Sequence, residues 1–314
     1  MSAPSHLTTA PPAQAPGRPG AGLGTGLFLA VAGAIAFSGK AIIVKLAYRW
    51  GVDAVTLIML RMLFALPFFA LMAWWASRGK PPLNGGQWLG VLGLGLTGYY
   101  LASFLDFVGL QYITASFERL ILYLNPTLVL FLAWLLHRRP VTRGHLAGVA
   151  LSYAGVLLVF GHEVGLLGPQ AAWGALLVFL SAVSYAFYFV HSAQLVQQLG
   201  SLRLVGLATT VACVCCIVQF LLLRPVGVAF AVAPQVLWLS VLNATLCTVV
   251  PVLLVMMAIE RIGPALAAQT GMVGPISTIL LGVWLLGEPF TVWVAAGTLL
   301  VIAGIFVFTR IGGR

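Results

Sequence analysis

Charge is what this chain has least of. Only 7% of its 314 residues are Asp, Glu, Lys or Arg, six of them acidic, while 61% are hydrophobic. A soluble domain carries about 25% charged residues, so a fold with an ordinary aqueous surface is excluded and the chain reads as a polytopic membrane protein. Sixteen Lys and Arg give a net charge of +10, yet no basic patch with interleaved aromatics occurs, which excludes nucleic acid as a partner. The basic residues stand between apolar runs, the pattern by which membrane proteins set their orientation. Cysteine is also scarce. Cys213, Cys215, Cys216 and Cys247 all lie in apolar stretches, with no spacing that suits a metal or a disulfide framework, and they read as small packing residues. No metal and no cofactor is implied. A cleavable signal peptide is not expected, because the first apolar run is long enough to span a bilayer and lacks a cleavage context. Residues 1–22, rich in Pro, Ala and Gly without apolar periodicity, are expected to form a disordered tail.

Apolar length is what the chain has in quantity. A spanning helix needs about 20 residues, and ten segments qualify: 24–46, 54–76, 87–108, 113–136, 143–160, 172–192, 203–223, 235–257, 262–286 and 291–310. The expected fold class is therefore all-α, with ten transmembrane helices. Nine identities recur at a constant spacing of 149 residues: Pro126, Leu132, Leu136, Pro140, Thr142, Ala147, Gly148, Ala154 and Gly155 return as Pro275, Leu281, Leu285, Pro289, Thr291, Ala296, Gly297, Ala303 and Gly304. The opening helices match at spacing 148, with Gly26, Ala34 and Phe37 against Gly174, Ala182 and Tyr185. A repeat with an odd number of spans inserts its second copy upside down. The expectation is two inverted five-helix repeats, residues 23–160 and 172–310, joined by a linker at 161–171. With the N-terminus in the cytoplasm, the inner segments hold ten basic residues (Arg18, Arg78, Lys80, Arg138, Arg139, Arg143, Arg203, Arg261, Arg310, Arg314) and the outer ones three (Lys45, Arg49, Arg224). That bias places both termini in the cytoplasm.

Inverted repeats with broken mid-membrane helices are the architecture of secondary transporters, whose substrate sits between the halves. Pro126 and Pro275 are the candidate breaks. Each lies twelve or thirteen residues into its segment, near the midplane at about 1.5 Å per residue. A proline frees a backbone carbonyl, which is tolerated only against protein or a wet cavity; an ordinary packed kink is the alternative. The candidate substrate-binding residues at that depth are Ser38, Tyr99, Tyr100, Ser103 and Asn125 in the first half, with Tyr185, Tyr188, Asn243, Thr248 and Gln269 in the second. Each is individually explicable as a helix–helix contact. The set carries no fixed charge, which suits a neutral zwitterion better than a phosphate ester, since phosphate asks for a central Lys or Arg clamp. The intramembrane charges Lys40, Arg61, Asp106, Glu118 and Arg119 fall instead in one outer layer. Unpaired charge in hydrocarbon costs several kcal/mol, so an ion-paired gate is expected, with snorkelling as the alternative for Lys40 and Arg61. Glu118 is the carboxylate expected to exchange a proton if a proton is the coupling ion.

The segment Ser116-Phe117-Glu118-Arg119-Leu120-Ile121-Leu122, followed by Asn125-Pro126-Thr127, resembles the drug/metabolite transporter superfamily in its EamA-type branch. Leu286-Gly287-Glu288-Pro289-Phe290-Thr291 is similar to that branch's Leu-Gly-Glu turn before the last helix. The first copy departs, with Arg139 where Glu is usual, and the second copy has Ala267-Ala268 in place of Glu-Arg. The resemblance covers about 290 residues. It implies a ten-helix inverted fold in the bacterial inner membrane and export of small metabolites. In length, span count and tail the chain resembles the amino-acid exporters of this group, including those handling aromatic amino acids. Export of drug-like or sugar-like compounds is the near alternative. A membrane-embedded enzyme would want convergent His, Cys, Asp or Glu, which the midplane lacks, and a channel would want rings of charge or carbonyls about an axis.

Overall fold

A computed structural model describes residues 23–137, 143–270 and 273–310, and every regular element among them is helical. The expected tail at 1–22 and the basic residues Arg138, Arg139 and Arg314 lie outside the described residues. The first half contains α1 (Leu23–Tyr48), α2 (Ala54–Ser77), α3 (Gly85–Leu94), α4 (Ala102–Gly109), α5 (Ala115–Leu122), α6 (Asn125–His137) and α7 (Arg143–Leu167). The second contains α8 (Gln170–Leu199), α9 (Ser201–Leu223), a short α10 (Gly227–Phe230), α11 (Pro234–Ala244), α12 (Val250–Thr270), α13 (Gly274–Leu281) and α14 (Val292–Arg310). Eight stretches among the described residues are long and apolar enough to cross a membrane, and two shorter apolar helices, Gly274–Leu286 and Val292–Val307, follow them.

Helix starts follow local capping chemistry. The Asp53 carboxylate accepts from the Val55 and Thr56 amides to begin α2, Asn84 and Gln87 form a reciprocal capping box at α3, and the Thr114 hydroxyl accepts from the Phe117 amide at α5. Such caps satisfy amides that the helix itself leaves unpaired. Two boundaries differ from expectation. α7 continues to Leu167 and α8 opens at Gln170, so only Gly168, at φ +80°, and Pro169 separate them. Glu163 lies within this continuous helix, where its carboxylate accepts from the Thr114 hydroxyl at 2.7 Å. Likewise α12 runs from Val250 to Thr270 through the expected connection at 258–261. Glu260 and Arg261 lie within this continuous helix, and both are good helix formers.

The dominant contacts pair α7 with α14, α2 with α9, α1 with α12, and α4 with α8. Glycines from the 149-residue recurrence form the α7–α14 seam. A Cβ on Gly155 would come within 2.6 Å of the Gly297 carbonyl oxygen, and one on Gly304 within 2.7 Å of the Gly148 carbonyl oxygen. Backbones approach this closely only where side chains are absent, which is how helices associate when lipid supplies no hydrophobic drive. Those recurring glycines are therefore packing residues.

Candidate functional site

The third and eleventh helices do not continue uniformly. α3 passes through a π-helical segment, Gly95–Leu101, into α4, and α11 passes through Thr245–Val249 into α12. Shifted by the 149-residue spacing, 95–101 becomes 244–250, so the two distortions occupy equivalent places in the two halves. Their cause is local. Thr97 donates its hydroxyl to the Gly93 carbonyl and Thr245 to the Val241 carbonyl, each four residues back, competing with the backbone ladder at the point where it slips. The displaced carbonyls find partners on α8: Ser184 Oγ donates to Thr97 O at 2.8 Å, and Ser181 Oγ to Ala102 O at 2.6 Å. Backbone irregularity at membrane depth requires such replacement donors, and π segments concentrate at functional sites.

The two candidate proline positions both stand at the start of a helix. α5 ends at Leu122 and α6 begins at Asn125, with Pro126 as its second residue. α12 ends at Thr270 and α13 begins at Gly274, with Pro275 likewise second. Each proline opens a new helix, where its missing amide is not needed, and is not a kink inside one.

Two cavities lie between these elements. The larger, about 500 Å³, includes Ala34, Phe37, Ser38, Tyr99, Arg119, Tyr123, Tyr185, Tyr188, Phe189, Val252 and Gly274 on its wall. The smaller, about 150 Å³, includes Phe37, Lys40, Arg61, Tyr99, Ser103, Asp106, Leu122, Tyr185, Thr248 and Val252. They share Phe37, Tyr99, Tyr185 and Val252 and so adjoin. Along α1 the walls run from Ala30 to Lys40, about 15 Å at the helical rise.

Of the expected substrate-binding residues, Ser38, Tyr99, Ser103, Tyr185, Tyr188 and Thr248 reach these walls. Tyr99 and Tyr188 place their hydroxyls 3.1 Å apart with rings edge to face at 5.2 Å, and Tyr185 stacks on Tyr188 at 5.5 Å. Tyr100 turns away to the apolar cluster around Phe107 and Cys216. Asn125 and Asn243 are on neither wall. Asn243 is buried, and its main-chain carbonyl accepts from Thr248 Oγ1 at 2.8 Å. The Gln269 side chain lies outside the described residues.

The charged layer is where expectation and structure part most clearly. Lys40, Arg61, Asp106, Glu118 and Arg119 are all buried and close together. Lys40 Nζ lies 2.6 Å from Asp106 Oδ2 and 3.6 Å from Glu118 Oε1. Arg61 donates through Nε to Thr248 Oγ1 at 3.1 Å and stands over the Phe107 ring; Arg119 donates through Nε to Thr278 Oγ1 at 2.9 Å. Snorkelling does not describe Lys40 or Arg61, since both are nine-tenths buried. Nor is the chamber uncharged: Lys40, Arg61 and Asp106 are on the smaller wall and Arg119 on the larger. Depth along one helix separates residues by about 1.5 Å each, but lateral neighbours on other helices are invisible to that count.

Sequence reasoning missed a set of contacts between the two halves at the α1–α2 end. Glu288 Oε1 accepts from the Ala115 amide at 2.7 Å, and its Oε2 accepts from the Ser116 amide at 3.1 Å and hydroxyl at 2.7 Å. A carboxylate from the second half thus caps α5 of the first. Gly287, at φ +70°, makes the turn that aims it. Arg49 Nη2 donates to the Leu286 carbonyl at 2.6 Å, and Lys45 Nζ to the Leu110 and Ile113 carbonyls. Asp53 faces Arg224 at 3.5 Å. Partial burial pushes the Asp53 carboxyl up, but hydrogen bonds from the Thr56 hydroxyl and amide, the Arg224 charge and the Val55 amide outweigh it and hold the group below its ordinary range. The Leu-Gly-Glu motif was visible, but the amides it reaches are 172 and 173 residues away.

The sequence pattern of the EamA-like transporter family matches residues 24–161 and 172–310. Uncharacterized transporter YcbK of Bacillus subtilis is 31% identical over 269 residues, covering 83% of this chain and 85% of its own. An uncharacterized transporter of Archaeoglobus fulgidus is 25% identical over 276 residues, covering 87% and 93%. A solved crystal structure with 18% identity superposes with a TM-score of 0.61, covering 93% of this chain and 98% of the other, and shares the fold.

Proposed function

The chain belongs to the EamA-like transporter family, within the drug/metabolite transporter superfamily, and on that premise we propose that it exports amino acids or similar small metabolites by alternating access. The cargo site in this reading is the pair of adjoining cavities. The observation that carries it is their placement: they lie against two π segments and two proline-led breaks, one of each from either half. A cavity of about 500 Å³ falls in the ordinary range for small-molecule sites. Ser38, Tyr99, Ser103, Tyr185, Tyr188 and Thr248 bind cargo there, while Lys40, Arg61, Asp106, Glu118 and Arg119 set its electrostatics.

The reading includes the finer architecture. Ten helices form two five-helix repeats, 23–160 and 172–310, joined through 161–171, with the second inverted, both termini cytoplasmic and the bacterial inner membrane as the site of action. The helix contacts support a two-fold exchange of halves, because α1 with α12 maps onto α8 with α4, while α2 with α9 and α7 with α14 map onto themselves. Rocking about that axis would expose the cavities to each side in turn. The protein acts as a carrier without covalent catalysis.

Flux in proteoliposomes containing the purified protein, measured over twenty amino acids with and without a proton gradient, tests this. Saturable movement of at least one amino acid supports it, and movement of sugars or cationic drugs alone would replace it with the near alternative. Glu118→Gln is expected to flatten the pH dependence of flux; an unchanged profile removes Glu118 as the proton-exchanging group.

A further inference from the structure

Three buried cations share the charged layer with two buried carboxylates: Lys40, Arg61 and Arg119 against Asp106 and Glu118. The carboxylates are not distributed among the cations. Both turn to Lys40, at 2.6 and 3.6 Å, and no carboxylate reaches salt-bridge distance of Arg61 or Arg119 among the described residues. The two guanidiniums are held by hydroxyls in their place. Arg61 binds Thr248, and its Nη1 is buried with no hydrogen-bond partner. Arg119 binds Thr278 and, more distantly, the Phe37 carbonyl at 3.5 Å. Hydroxyls and carbonyls orient a guanidinium but do not neutralise it. A buried cation without a counter-ion is costly, and such residues within a membrane mark substrate paths.

Each guanidinium opens on a cavity, Arg61 on the smaller and Arg119 on the larger. Arg119 is the one charged side chain on the larger wall among the described residues. The other polar side chains there are hydroxyls: Ser38 already donates to the Ala34 and Gly274 carbonyls and Tyr99 and Tyr188 share one hydrogen bond, which leaves Tyr123, Tyr185 and one hydroxyl of the Tyr99–Tyr188 pair to donate. Among the described residues no carboxylate faces that space to receive an ammonium group. Aromatic and aliphatic surface supplies the rest of the wall. This is the complement of a molecule with an acidic head and a flat apolar body.

Building on the transport reading above, and narrowing its cargo from zwitterionic amino acids to the similar small metabolites that lack an ammonium group, we infer that the cargo is a net anion, a small aryl or alkyl carboxylate whose head pairs with Arg119 in the larger cavity. A guanidinium binds a carboxylate through two parallel hydrogen bonds, a geometry that a lysine does not reproduce in full. Arg61, one cavity further along, is the second station for the same head group.

Three probes that share a phenylethyl body differ in charge: 3-phenylpropionate is an anion, phenylalanine a zwitterion and phenethylamine a cation. Their binding to the full chain in lipid nanodiscs, measured by titration calorimetry at pH 7, reads the inference directly. The expected order is 3-phenylpropionate tightest, by about tenfold or more over phenylalanine, with phenethylamine weakest. Arg119→Gln is expected to remove that advantage, and Arg119→Lys to keep part of it. Equal affinities, a zwitterion or cation that binds best, or no saturable binding of any probe would each overturn the inference, and the wild-type series alone is sufficient for this should a variant not fold. Failure of the transport reading is separate and looks different: 3-phenylpropionate would bind with the expected preference yet show no protein-dependent flux beyond that of empty liposomes.

Discussion

Lys40 holds two carboxylates that are almost wholly buried, since Asp106 is 1% and Glu118 0% exposed. Taking away the cation leaves two like charges buried side by side, and removing one partner of a buried pair costs roughly 3–5 kcal/mol. Lys40→Met is therefore expected to lower the melting temperature of the purified protein sharply. Replacing the pair together is far less costly, so Lys40→Met with Asp106→Asn should recover more than half the loss. Additive losses in the double variant would show that the pair does not act as a unit. Tyr99 tests a different role at the same scale. It touches both cavities and meets Tyr188 through hydroxyl and ring edge alike. Tyr99→Ala removes an aromatic wall, an aromatic pair worth about 0.5–1.5 kcal/mol beyond its area. The expected result is a lower preference for aromatic over aliphatic cargo, by several-fold, and an unaltered ranking in competition assays would take Tyr99 out of the site. These six aromatic and hydroxyl positions were legible in the sequence because polarity is rare in such spans. Asn243 was equally conspicuous, but polarity at the right depth says nothing of direction, and its side chain points to neither cavity.

Among the elements, α5 draws part of its N-terminal cap from the other half of the chain. It has eight residues, about 12 Å of helix. Its N-terminus is served by Thr114 from its own chain segment and by Glu288 from the other half. An anion there also meets the positive end of the helix dipole. Hydrogen bonds to a charged group contribute about 1.5–3 kcal/mol, so Glu288→Ala is expected to lower stability by a few kcal/mol. It should also raise the reactivity of a cysteine placed at Ser116 toward a water-soluble maleimide, because the freed half-helix opens toward the α1–α2 end. Unchanged labelling would mean that the cap serves stability alone. The break before Pro126 could be foreseen from proline chemistry, and the Leu-Gly-Glu turn from its motif. The π segments at Gly95–Leu101 and Thr245–Val249 could not. They depend on Thr97 and Thr245 folding back and on Ser181 and Ser184 approaching from α8, and a one-dimensional pattern carries no record of that approach.

At the scale of the whole molecule, duplication in sequence becomes a statement about symmetry. The glycine contacts exchange in the way a two-fold axis requires: Gly155 meets Gly297, and their counterparts Gly304 and Gly148 meet in turn. An axis lying in the membrane plane turns one half over, whereas an axis along the membrane normal leaves both halves facing alike. Charge bias favours the first, because basic residues gather at one set of connections. Equivalent points in the two halves discriminate between them directly. Arg78 follows α2 and Gly227 follows α9, 149 residues apart, and both are exposed. A Cβ on Gly227 would meet nothing within 4 Å, so a cysteine fits there. With the four native cysteines changed to alanine, Arg78→Cys is expected to react with membrane-impermeant maleimide only in inside-out vesicles. Gly227→Cys is expected to react only from the outside of intact cells. Labelling of both positions from the same face would put the axis along the membrane normal. Alternating access by exchange of inverted halves would then be untenable, and the two adjoining cavities would have to reach both sides of the membrane by some other motion.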